Sequence, residues 1–160
     1  SFPPRRSSDL DAVAGIAEYP TPLLIIDMGT ATTISAIDKK GVYLGGVIIP
    51  GAKVALDSLS SKASQLPHIS FEAPRKAIGT NTVECMKSGA VLGNASLLDG
   101  MLDRMEEELG EPATVVATGG LAPFVTPLCR HKIILEKDLL LQGLYTLYKM
   151  NKIFSCPFCA

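Results

Sequence analysis

Tryptophan is absent from this 160-residue chain, and all aromatics together make up only 6% of it. An aromatic-rich binding platform is thereby excluded. The two histidines, His68 and His131, stand far apart with no metal-ligand spacing and read as surface or capping residues. No basic run exceeds two residues, and 15 basic side chains face 16 acidic ones, giving a formal charge of −1. That leaves no electrostatic footprint for nucleic acid. Long apolar runs are also missing: residues 23–26 and 47–49 are far too short to span a bilayer. The first residues contain no apolar stretch of the kind a secretory signal needs. No G-x-S-x-G, Walker A or G-x-G-x-x-G occurs. Of four cysteines, Cys85 and Cys129 stand alone, and Cys156 and Cys159 form a single C-x-x-C without a second pair or a histidine. That is a poor zinc signature and reads as part of a tail, so a reducing, cytoplasmic compartment is expected.

What is present is a core. The apolar fraction is 47%, mean hydropathy is +0.27 and mass is 16.9 kDa, enough for one domain with a buried interior. Residues 1–8 read as loop or tail. Asp9 is placed to cap a helix carrying Leu10, Val13, Ala14 and Ala17 at helical spacing. Three strands are expected at 23–27, 31–37 and 42–49, with Gly45-Gly46 marking a bulge in the third. A helix to about residue 62 follows Pro50-Gly51. Asn81 and Glu84 have capping-box spacing before a long helix that reaches about residue 109 with a stripe of Leu98, Met101, Leu102, Met105 and Leu109. Gly89 and Gly93 on that helix cost about 1 kcal/mol each relative to Ala, which suggests another backbone approaching, within the fold or across a dimer. A strand at 114–118, a short helix at 121–128, a strand at 132–135 and a helix at 139–149 complete the order. A meander followed by alternating helices and strands indicates an α/β domain with a mixed sheet covered by helices.

Four glycine- and threonine-rich segments could carry chemistry. In DMGTATT (27–33) a strand delivers an acid to its end, a glycine turns the chain and hydroxyls follow. Such a turn can present N–H and O–H groups to phosphate while the acid binds a cation. Taken alone it is equally an ordinary hairpin with an aspartate at its turn. GGVIIPG (45–51) permits close approach of a ligand or merely of neighbouring backbone. GTNT (79–82) gathers polar groups at a helix N-terminus, as an anion site or simply as a cap. ATGG (117–120) is a strand-to-helix turn that a nucleotide could lie against.

Taken in order, DMGTATT, GGVIIPG, QLP followed by GTNT and KSGAVLGNA, and then ATGG resemble the C-terminal half of type III pantothenate kinases. The resemblance runs from about residue 9 to 151. It implies a ribonuclease-H-like domain of the actin-like kinase superfamily, occupying 9–152 between tails at 1–8 and 153–160. It further implies ATP-dependent phosphorylation of pantothenate, the first step of coenzyme A synthesis, in a homodimer that uses ATP with Mg2+ and a monovalent cation, K+ or NH4+. By motif, Asp27 corresponds to the cation ligand, Thr30 to an ATP phosphate contact, Thr82 to a pantothenate contact and Gly119-Gly120 to the turn near the nucleotide. Asp9 corresponds to the catalytic base, with a gap of about two residues before Asp11. The N-terminal half of the family, with its D-x-G-N-T phosphate loop, has no counterpart here, so a truncated chain is expected. The alternative is a non-catalytic fragment or dimerisation module. No nucleic-acid or membrane partner is expected.

Overall fold

The computed structural model describes residues 7–63 and 65–154. The C-x-x-C and most of both expected tails lie outside the described residues. The elements run α1 (Ser7–Glu18), β1 (Leu23–Met28), β2 (Ala31–Ile37), β3 (Tyr43–Pro50), α2 (Ala52–Lys62), α3 (Thr82–Leu109), β4 (Thr114–Thr118), α4 (Ala122–Val125) with a following 3-10 turn (Thr126–Leu128), β5 (Ile133–Leu135) and α5 (Leu139–Phe154). The helix expected from Asp9 starts at Ser7 instead, which puts Asp9 in the first turn, where its charge complements the helix dipole. The last helix runs past residue 149, because no glycine or proline stands between residue 149 and Pro157.

One five-stranded sheet has the order β3-β2-β1-β4-β5. β1, β2 and β3 pair antiparallel, and β4 and β5 add in parallel to β1. The pairing of β2 with β3 shifts register between Ala36 and Ile37, opposite Gly45 and Tyr43, which is the expected bulge. β1 lies at the centre and is buried on both faces, so LLIIDM reads as a continuous apolar run with one acid. Strand alternation divides it. Leu24, Ile26 and Met28 join Leu98 and Leu102 of α3 and Ala122 and Val125 of α4 in the larger core. Leu23 and Ile25 join Ala12 and Ala14 of α1 and Leu139 of α5 in the smaller one. Each fully buried Leu or Ile contributes about 1.5–3 kcal/mol, so β1 is the strand the domain is built on.

α1 and α5 pack closely over the second face. A side chain at Gly143 would collide with the Leu10 carbonyl, so the glycine sets how near the two helices come. On the long helix, Asn81 Oδ1 accepts from Glu84 N–H at 3.0 Å, and the Glu84 carboxylate accepts from Thr80 N–H and O–H at 3.0 and 2.8 Å. Helix α3 thus starts where the capping spacing placed it.

Candidate active site

Alternation along β1 sends Asp27 to the same face as Leu23 and Ile25, the face covered by α1 and α5. β4 lies parallel beside it with Thr118 opposite Asp27. The chain then turns at Gly119-Gly120. Gly119 has φ +96°, and a Cβ there would lie 2.6–2.7 Å from the Met28 backbone, so only glycine fits. Leu121 N–H donates to the Met28 carbonyl at 3.3 Å and ties the turn to the end of β1. From above, α1 presents Asp11. Asp11, Asp27, Thr118, Gly119, Gly120 and Lys137 help to line a cavity of about 440 Å³ at the carboxyl ends of the two parallel strands. Open α/β sheets bind ligands at such an edge.

The electrostatics of this cavity are unusual. Asp11 is 2% exposed, and its Oδ1 has no hydrogen-bond partner. Burial first, and then the negative charge of Asp27, push its carboxyl up to about 7. Burial also raises Asp27 above the ordinary carboxylate range. None of the ion pairs among the described residues involves either acid. Two carboxyl groups so placed favour a proton or a cation between them. Their oxygens suit a hard cation, and the Thr118 hydroxyl and the backbone N–H groups of the glycine turn suit phosphate oxygens. No group of three or more His, Cys, Asp or Glu side chains among the described residues forms a metal centre. A cation held here would therefore draw on two carboxylates and other oxygen donors.

The other sequence-expected residues are distributed around this point. Thr30 is exposed in the turn between β1 and β2, three residues beyond Asp27. Its carbonyl accepts from Gly51 N–H at 3.2 Å, which joins the DMGTATT turn to the end of GGVIIPG. Thr82 is the first residue of α3 and lines a separate cavity of about 520 Å³ between α2 and α3, with Cys85, Met86 and Gly89. Asp9 is not among the residues lining the Asp27 cavity. It lines a third one, with Val13, Ile16, Gly41, Tyr43 and Leu147. Two residues span roughly 200° of helix, so Asp9 and Asp11 leave α1 on opposite sides, and Asp11 is the one that meets Asp27. Asp11 is thus the acid that sequence reasoning passed over. No local signal marks it, because the packing of α1 on the sheet and on α5 decides which side of the helix faces the cavity.

His131 sits away from this cavity. Its Nδ1 lies 3.0 Å from Asp99 and its Nε2 3.3 Å from Asp103, both on α3. Cys129 is half-buried, with its thiol against the carbonyls of Ala95 and Val125.

Comparison with known proteins settles the family. The profile of the family described as type III pantothenate kinase matches residues 9–104. The chain belongs to the type III pantothenate kinase family. Type III pantothenate kinases similar to it include one from Thermomicrobium roseum, 42% identical across 87% of this chain and 54% of the relative. Another, from Desulforapulum autotrophicum, is 44% identical across 84% of this chain and 52% of the relative. The chain therefore spans about half the length of the curated relatives it matches. Among solved structures, a conserved Baf family protein from Campylobacter jejuni superposes with a TM-score of 0.67 at 22% identity, over 90% of this chain and 65% of that one. The activator of 2-hydroxyisocaproyl-CoA dehydratase from Clostridium difficile superposes with a TM-score of 0.50 at 14% identity, over 93% and 68%. These likenesses speak for the fold alone, and they agree with the ribonuclease-H-like α/β domain that the resemblance implies. Among the described residues, no helix is long and apolar enough to cross a membrane.

Proposed function

We propose that this domain is the C-terminal part of a pantothenate kinase that transfers the γ-phosphoryl group of ATP to pantothenate and yields 4'-phosphopantothenate, the first step of coenzyme A synthesis. The observation that carries the reading is the meeting of Asp27 with the Gly119-Gly120 turn in one cavity, within a chain of this family. Phosphoryl transfer depends on positioning and on neutralising charge, and this cavity offers acids and a backbone cradle for both.

In the reaction the pantothenate hydroxyl oxygen attacks the γ-phosphorus. The bond to the β–γ bridging oxygen breaks, ADP leaves with that electron pair, and the hydroxyl proton passes to a carboxylate. The motif resemblance assigns that base to Asp9, but Asp9 faces a different cavity from Asp27, so the Asp9→Asn variant decides whether it serves. The Thr30 hydroxyl donates to phosphate oxygens, and Thr82 orients pantothenate. Asp27 would hold a monovalent cation, K+ or NH4+. That ion, with the Mg2+ that accompanies ATP, would supply the neutralisation of phosphate charge. The working form in this reading is a cytoplasmic homodimer.

A second reading is a non-catalytic fragment or dimerisation module. The chain spans about half the length of its relatives, so this reading applies to the 160-residue chain taken by itself. ATP-dependent phosphorylation of pantothenate by the purified chain, with K+ and Mg2+ present, separates the two. Turnover abolished in Asp27→Asn and Asp9→Asn supports the kinase with Asp9 as base. A folded, dimeric protein without turnover supports the module.

A further inference from the structure

We infer that Asp11 is a second ligand of the cation site at Asp27, so that one cation is held between a carboxylate of α1 and a carboxylate of β1. The inference deepens the reading above, resting on its assignment of a cation to Asp27, and it does not require turnover.

Three observations carry it. First, Asp11 Oδ1 is buried without a partner, although Asp11 stands at the edge of a core built from Ala12, Ala14, Leu23 and Ile25. A carboxyl in such a place is costly unless something satisfies it. Alanine or serine would serve packing alone. Second, Asp11 and Asp27 line the same cavity, and α1 is held over β1 by its close contact with α5 at Gly143 and Leu10. The pair is therefore imposed by the rigid part of the fold rather than by a loop. Third, no basic side chain forms an ion pair with either acid among the described residues. Lys137 lines the same cavity but is exposed at its rim, so it is the competing source of positive charge. The occupant that fits is a cation ligated by oxygen, completed by the Thr118 hydroxyl, backbone carbonyls or water.

Thermal unfolding of the 160-residue chain tests this in choline chloride, KCl, NH4Cl and MgCl2 at equal ionic strength. At least one cation is expected to raise Tm above the choline value, by about 5 °C at a concentration a hundredfold above its Kd. K+ or NH4+ identifies the occupant as monovalent, and Mg2+ as divalent. Asp11→Asn and Asp27→Asn are each expected to remove the rise. Asp11→Ser serves in the same way should the asparagine variant not fold. The inference is overturned when an Asp11 variant keeps the full cation response that Asp27→Asn loses. It is also overturned when no cation raises Tm in the unaltered chain, or when the response emerges only in Lys137→Met, since the lysine is then the resident counter-charge. Loss of pantothenate phosphorylation with the Tm response intact would instead count against the kinase reading alone.

Discussion

Asp11 carries a measurable stability cost in the absence of a bound cation. Its carboxyl is held near 7 in the folded chain, against about 3.9 when unfolded. Between those values the folded state binds a proton that the unfolded state does not, so stability falls as pH rises through that window, and the loss is complete above about 7. Asp11→Asn in cation-free buffer is therefore expected to be more stable than the parent at pH 8, by up to about 4 kcal/mol, with the gap closing towards pH 4. Urea midpoints at pH 4, 6 and 8 check both the sign and the window. Cys129 gives a second test. Burial, with a smaller push from the charge of Asp99, raises its thiol to about 12, whereas Cys85 is exposed. Iodoacetamide at neutral pH should modify Cys85 and spare Cys129 until the domain is unfolded, as read by peptide mapping. Asp27 was legible in the sequence because an apolar strand followed by Gly29 can put an acid only at a strand end. Asp11 was not, because which side of α1 meets the sheet depends on how α5 packs on it, and that is a tertiary fact.

Among elements, Asp99 makes most of the hydrogen bonds that join α3 to the segment leading into β5, beside the contacts of His131 with Asp103 and of Cys129 with Ala95. The Asp99 carboxylate accepts from Arg130 N–H at 2.9–3.0 Å, from His131 N–H at 3.1 Å, and lies 3.0 Å from the His131 ring. Burial works against its charge, but the hydrogen bonds from Arg130 and His131 outweigh it and hold the carboxyl below the usual range. A depressed carboxyl contributes stability above its unfolded value that is lost as pH falls through the folded one. Asp99→Ala should cost on the order of 1–3 kcal/mol at pH 7 and far less near pH 2, measured by denaturant titration at the two pH values. Most element positions were readable. The β-branched run of β2 and the Asn81 and Glu84 pair mark their boundaries through local chemistry alone. The contact of Asp99 with Arg130 was unreadable, because it joins residues far apart in the chain through a helix face that carries several acids.

Across the whole molecule, the sheet order could not be derived from local pattern. β4 inserts beside β1 only because α3 crosses back over the sheet, and its apolar stripe allows that without specifying it. The same helix leaves one expectation to be settled beyond the single chain. Gly89 and Gly93 suggested the approach of another backbone, yet a Cβ built at either position meets nothing within 4 Å. No such approach occurs among the described residues, so a second copy is the expectation left to test. Gly89→Ala with Gly93→Ala separates the possibilities. In the isolated domain both changes add helix propensity without a clash, and the pair should stabilise the monomer by about 1–2 kcal/mol in urea titrations at low protein concentration. If α3 meets its symmetry mate through these glycines, the same pair should weaken dimerisation, because two methyl groups hold the helices apart at a contact built for hydrogen atoms. Sedimentation equilibrium across a range of protein concentrations reads that effect. A stabilised monomer with a weakened dimer places the interface on this stretch of α3. A stabilised monomer with unchanged association removes these glycines from any interface between copies.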